Sequence, residues 1–229
     1  MFRPTRSTLV DRMNESRRIL SLIKSMENPS PLGREGQEVW TLRGLYFVNL
    51  YSIVEFTVRS VVHVSLVFIS DRSVCFNCLK NNFYSIALDS EFKRCKDVNE
   101  KKGLEKRIEL LEKTQSTDIR AIDPNLIHMY LQNIDYDRIK LIFKCFCIDE
   151  NFSSVSRQML YLNEIKTKRN DVSHGNESAA VYGKMTRSDE LEKRFEAVAV
   201  VTDFIVSKFE TSLYELSFLK EERRSLYLA

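Results

Sequence analysis

The chain has 229 residues, with 35 basic and 32 acidic side chains, a net charge of +3, and 43% hydrophobic residues. Its 6 Gly and 4 Pro are about a third of the ~12% share of average usage, too few to punctuate a sandwich, barrel or propeller, so an all-β fold is disfavoured. The near balance of charge argues against a blanket polyanion binder and leaves any phosphate contact to a local patch.

Residues 7–27 read as an amphipathic helix, with Leu9, Met13, Leu20, Ile23 and Met26 recurring near helical spacing. The run Asn28-Pro29-Ser30-Pro31-Leu32-Gly33 ends it. Residues 37–70 are the most apolar stretch, yet Asn49, Glu55, Arg59 and His63 interrupt it, which argues against a membrane span. On a helix, Asn49, Ser52, Glu55, Arg59 and His63 share a sector of roughly 120°, with Glu55 and Arg59 spaced to pair. That polar edge faces either solvent or a functional cleft. A strand over 58–69 is the second reading, because β-branched residues are frequent there.

Residues 71–103 mix short apolar and polar pieces and predict helix with connecting loops. A charged helix is expected over about 103–114 with Leu104, Ile108 and Leu111, its mixed charges forming a solvated face. Asp123-Pro124 restarts the chain before a helical region over 125–147, and 156–169 gives a further helix with Met159, Leu162 and Ile165 inward. The last long helix, about 188–219, has the best periodicity: Leu191, Phe195, Val198, Thr202, Ile205 and Phe209 follow steps of 4, 3, 4, 3 and 4. Thr186 or Ser188 is placed to cap its start. The expected fold is a single all-α domain spanning 1–229, a bundle of about six or seven helices with its core over 7–219.

Five cysteines suit a reducing compartment better than a disulfide framework, and the first 20 residues lack the apolar segment of a secretory signal. A cytoplasmic location is the expectation. Cys75 and Cys78 form C-x2-C, with Cys95 and His63 as conceivable further ligands, but no second close pair completes a zinc site. Buried free thiols are the simpler reading. His63 and His128 read as helix residues at the core edge, and Arg223-Arg224, offset by Glu221 and Glu222, as a solvated tail.

The segment Lys166-Thr167-Lys168-Arg169-Asn170-Asp171-Val172-Ser173-His174-Gly175-Asn176, read as a connection between two helices, gathers three cations with one of only three histidines. An arginine fork suits phosphate, and histidine gives or takes a proton at neutral pH. Five residues on a straight helix leave Arg169 and His174 about 140° apart. Either the helix ends within the motif, which Gly175 favours, or two chains pool their motifs. An ordinary helix end with a cationic last turn is the plainest alternative.

RNDVSHG, Arg169 to Gly175, resembles the R-N-x-x-x-H-G signature of the HEPN superfamily. LRGLYFVNLYSIVEFTVRSVV and IDYDRIKLIFKCFCI are similar to the MAE-type branch, prokaryotic proteins of toxin and defence loci. The resemblance implies a metal-independent, cofactor-free endoribonuclease working as a homodimer, with two motifs facing each other across the interface. His174 would be general acid or base, Arg169 would stabilise charge on phosphorus, and Asn170 would orient His174 or hold a phosphate oxygen. Glu55 and Asp171 would support them, and Lys166 and Lys168 would attract RNA. The products would be a 2′,3′-cyclic phosphate and a 5′-OH, and DNA would not be cut. Some family toxins carry a tyrosine two residues after the histidine; here Asn176 stands there, so neutralisation at that tyrosine does not transfer, and any antitoxin is left unspecified. The rival reading is a non-catalytic helical module that binds RNA or a partner protein.

Overall fold

The structure is a computed structural model that describes residues 1–28, 35–96, 100–119, 122 and 128–227, of which 100, 101, 128 and 129 by backbone alone. The Pro-rich run beyond Asn28, the break at Asp123-Pro124 and the side chain of His128 lie outside the described residues. The described chain is all-α, with nine α-helical segments and short 3-10 turns, six of those helices having ten residues or more. They are α1 (Arg3–Met26), α2 (Gln37–Asp71), α3 (Tyr84–Ala87), α4 (Asp89–Lys96), α5 (Glu100–Thr114), α6 (Tyr136–Cys145), α7 (Ser156–His174), α8 (Ala179–Met185) and α9 (Ser188–Tyr214). Contacts divide the chain into two compact units, each assembled from separate stretches, so neither shows as a boundary in the sequence.

The first unit comprises Met1–Ser60, Leu131–Ile139 and Asn151–Ser207. α1 starts with Pro4 in its first turn, where the missing N–H has no helical partner to lose. It buries Leu9, Met13, Leu20 and Ile23, while Met26 stays 41% exposed. Ser16, fully buried, donates to the Tyr46 hydroxyl at 3.0 Å, and the Thr5 and Ser60 hydroxyls share a bond of 2.8 Å. α7 contributes Met159, Leu162 and Ile165, and α9 contributes Leu191, Phe195, Val198, Thr202 and Ile205, all buried. The expected caps are used elsewhere: the Ser188 hydroxyl donates to Glu27 at 2.6 Å, and Thr186 Oγ1 accepts from Lys168 at 3.4 Å.

α2 is one unbroken helix, which overturns the strand reading of 58–69. Val58, Val61, Val62, Leu66 and Ile69 are buried, a helical period that alternation could not produce. Buried Thr57 and Ser65 satisfy their hydroxyls on the carbonyls of Ile53 and Val61 one turn back, at 2.8 and 2.6 Å. By length and composition α2 could cross a membrane, and half of its most apolar 18-residue window is buried inside the protein.

α8 was not expected from the sequence. It lies against α2 with almost no space between the backbones. A Cβ on Gly44 would stand 1.9 Å from the Ala179 carbonyl oxygen, and one on Gly183 would stand 1.7 Å from that of Trp40. Gly44→Ala and Gly183→Ala are each expected to cost roughly 3 kcal/mol in urea unfolding, the upper part of the overpacking range. Gly175→Ala should cost only about 1 kcal/mol, from left-handed backbone strain without a clash.

The second unit comprises Val61–Tyr130, Lys140–Glu150 and Lys208–Ala229. Its centre is aromatic: Phe83 packs on Phe146 and Phe218 at 5.7 and 5.8 Å, and Phe209 packs on Phe143 and Phe146 at 5.6 and 5.1 Å. Two isolated antiparallel bridges, Cys75 with Ile119 and Leu79 with Leu219, tie the irregular segments together. α5 leaves Leu104, Ile108 and Leu111 exposed at 62, 56 and 64%, so its apolar residues do not anchor it. Its Lys113 instead reaches Glu91 of α4 at 2.5 Å. His63 is exposed rather than at the core edge. The five cysteines are free thiols, but only Cys78 is fully buried and the other four are half-buried. Among the described residues no cluster of His, Cys, Asp or Glu is arranged to hold a metal.

Burial alone would raise the Glu91 carboxyl, but Lys113 and the Ser90 hydroxyl outweigh it and hold it at about 2, against 4.5 ordinarily. The depressed value contributes roughly 3 kcal/mol at neutral pH, present above about pH 4.5 and lost as the pH falls towards 2. Glu91→Gln is expected to flatten that acid loss in urea titrations repeated across this window. An unchanged acid limb would refute the assignment.

Candidate active site

The motif helix does not stop where the sequence suggested. Between Ile165 and Gly175 there is no helix breaker, and α7 continues through His174. Gly175 then adopts φ 72°, ψ 17°. The Asn176 amide donates to the Asp171 carbonyl at 2.9 Å and the Gly175 amide to that of Val172 at 3.4 Å, a left-handed closure that satisfies the last carbonyls. The motif is therefore helix, not a connection between helices.

Arg169 is half-buried and held from three directions. Its guanidinium donates to Asn170 Oδ1 at 2.8 Å, lies 3.9 Å from Glu55 Oε2, and sits 4.4 Å above the Tyr51 ring. Glu55 also takes Arg59 at 2.8 Å, one turn along α2, so one carboxylate serves two guanidinium groups. Tyr51 is 2% exposed, and burial pushes its phenol up. The polar edge of α2 thus meets the motif at Glu55.

His174 stands apart. It is the last residue of α7, exposed, with no hydrogen-bond or ion-pair partner among the described residues. Five residues of unbroken helix turn it about 140° from Arg169 and raise it about 7.5 Å along the axis. It shares its face of α7 with Leu160, Asn163 and Thr167, which are exposed, and with half-buried Asn170. The structure brings together Glu55, Arg169 and Asn170 and leaves His174 on another side of the helix.

Asp171 accepts from the Tyr182 hydroxyl of α8 at 2.5 Å, a bond that pushes the phenol up to about 12. Lys166 pairs with Asp135 at 2.6 Å. Burial works to raise the Asp135 carboxyl, yet Lys166 and the Arg138 amide hold it below the ordinary range. Lys168 pairs with Glu164 at 2.7 Å and lies over the rings of Phe47 and Tyr182. The two lysines expected to attract RNA are both engaged with carboxylates.

Against known families, residues 7–211 match the RiboL-PSP-HEPN model. The chain belongs to the RiboL-PSP-HEPN family. The match supports the HEPN superfamily resemblance and names neither the MAE-type branch nor the motif. No curated protein and no solved structure matches the chain.

Three features of this HEPN chain escaped the sequence reading. Tyr51 lies one helical turn before Glu55 and was within reach of the same wheel. Tyr182 gave no signal, because its helix has only seven residues. The third is a buried ion network. Arg43, 1% exposed, meets Glu27 at 2.5 Å and Glu35 at 2.6 Å, and Arg187 closes on the same two carboxylates at 3.7 and 3.8 Å. Hydrogen bonds from Arg43 hold the Glu35 carboxyl below its usual range despite burial.

Proposed function

We propose that this RiboL-PSP-HEPN chain is a metal-independent endoribonuclease whose site is completed by a second copy. The observation that carries the reading is the division of labour on α7: an exposed, unpartnered imidazole at its end and a guanidinium fixed by Glu55, Tyr51 and Asn170 on another face. The helix unbroken through His174 removes the reading in which it ends inside the motif and supports the one in which two chains pool their motifs, with an ordinary helix end as the plain alternative. A second copy docked so that its exposed His174 reaches the half-buried Arg169 beside Glu55 and Tyr51 would complete the site.

In that arrangement the ribose 2′-OH attacks the adjacent phosphorus. His174 takes the hydroxyl proton as general base, and the departing 5′-oxygen takes a proton from solvent. Arg169 stabilises the extra negative charge on the phosphoryl oxygens, and Asn170 holds its fork in place. Glu55 and Asp171 act through their neighbours, the first by fixing Arg169, the second through its bond to Tyr182. Such an unregulated activity would damage the cell's own RNA, which is why a toxin or defence role with a neutralising partner is part of the proposal.

The test is incubation of purified protein with RNA in EDTA. Cleavage with 2′,3′-cyclic phosphate ends supports the reading, and intact RNA across a broad panel ends it. A second reading, RNA binding without cleavage, draws on the engagement of Arg169 with Asn170, Glu55 and Tyr51 of its own chain. The same assay separates the two, since a binding module shifts RNA in a gel and leaves it uncut.

A further inference from the structure

The second unit carries an open cleft of about 610 Å³ lined by Lys80, Lys144 and Lys220 together with Asn81, Asn82 and Cys147. The positions of these residues are fixed by backbone. On either side of the Leu79–Leu219 bridge, the Lys80 amide donates to the Phe218 carbonyl at 2.9 Å and the Lys220 amide to that of Cys78 at 2.9 Å. Lys144 lies in the last turn of α6, which closes when Cys147 takes φ 57° and the Ile148 amide bonds the Phe143 carbonyl at 2.9 Å. A left-handed non-glycine residue is costly and belongs to sites that the surrounding packing over-determines. That packing is the aromatic cluster: Phe83 follows Asn82, Phe146 precedes Cys147, and Phe218 lies two residues before Lys220.

The charges here differ from those at the motif. Lys166 and Lys168 are neutralised by Asp135 and Glu164. The ammonium groups of Lys80 and Lys144 have no partner among the described residues, and that of Lys220 donates only to the Asn77 carbonyl, at 2.8 Å. Three lysines lining one cleft, none of them in an ion pair among the described residues, call for an anion. Asp149 and Glu150 also line the cleft, Asp149 lying 3.8 Å from Lys208. Carboxylates repel a bare phosphate but accept hydrogen bonds from ribose hydroxyls, and Asn side chains pair with base edges.

We propose that this cleft binds a ribonucleotide unit of an RNA strand, its phosphate on the lysines, its ribose hydroxyls on Asp149 or Glu150, and its base edge on Asn81 or Asn82. The proposal takes RNA as the polyanion from the function proposed above. It replaces Lys166 and Lys168 as the RNA-attracting cations by Lys80, Lys144 and Lys220.

The test is fluorescence anisotropy with a short labelled single-stranded RNA on the full chain carrying His174→Ala, so that the probe stays whole. Lys80→Ala with Lys144→Ala is expected to weaken binding at least about tenfold and to lower the slope of log affinity against log salt by about 1.4, near 0.7 per lost phosphate contact on a single strand. Unchanged affinity and slope would overturn the proposal. Asp149→Asn with Glu150→Gln should narrow the preference for RNA over DNA of the same sequence. If this pair tightens both alike, the carboxylates merely repel and the ribose assignment is wrong. A free nucleoside monophosphate competing as tightly as the strand would overturn the strand as ligand. The two proposals fail separately. Uncut RNA that still binds through the lysines removes the ribonuclease and leaves the cleft, whereas RNA cut by the wild type and bound equally by the lysine variant does the reverse.

Discussion

In EDTA, His174→Ala is expected to lower RNA cleavage by about 10²–10⁴-fold, the contribution of a positioned general acid or base. Arg169→Ala should cost a similar factor. Arg169→Lys should rescue little of it, because an ammonium cannot reproduce the planar fork that meets Asn170 and Glu55. The sharper result concerns the composite site. Mixed after partial denaturation and refolding, the two inactive alanine variants form heterodimers in which one interface pairs an intact His174 with an intact Arg169. The mixture should regain up to about a quarter of wild-type activity, since about half the dimers are mixed and each has one whole site of two. A mixture as inactive as its components would refute the pooled motif. Equal cutting by His174→Ala alone would refute the catalytic reading.

Arg43→Met is expected to destabilise the protein by roughly 3–5 kcal/mol, the cost of stranding buried charge. Among the described residues, Glu27 and Glu35 would then keep Arg187 as their cation, at 3.7 and 3.8 Å, beside hydrogen bonds from Ser188 and Trp40. Glu35→Gln on top of Arg43→Met should recover part of the loss by removing one of those carboxylates. Urea unfolding of the single and double variants measures this, and additive losses would show that Arg43 acts through packing alone.

The elements that were legible in the sequence are those whose burial repeats. α2 and α9 run close to their expected bounds because Val58, Val61, Val62 and Leu66 in one, and Leu191 to Phe209 in the other, mark a face at every turn. The end of α7 was not legible because its last buried residue is Ile165. From Lys166 to His174 the helix is maintained by backbone bonds and polar contacts that leave no apolar period, and only Gly175 marks the stop. Glu55 and Arg169 showed as candidates from residue type and position. What neutralises Lys166 did not, because Asp135 lies 31 residues earlier and is brought close by the fold. Arg43 was hidden for the same reason: Glu27 and Glu35 stand on either side of the Pro-rich run, at spacings no local rule connects.

Tyr182 and Gly183 are consecutive residues of α8 with opposite duties. One gives its hydroxyl to the carboxylate of Asp171, and the other surrenders its side chain so that the backbone can touch Trp40. A change that lifts α8 from α2 must therefore move the tyrosine as well. The short helix works as a splint: steric pressure at Gly44 or Gly183, far from any acid–base chemistry of its own, would reach the motif within a single peptide unit. Variants selected for poor activity should accordingly include small-to-large changes at these two glycines, alongside changes in the motif itself.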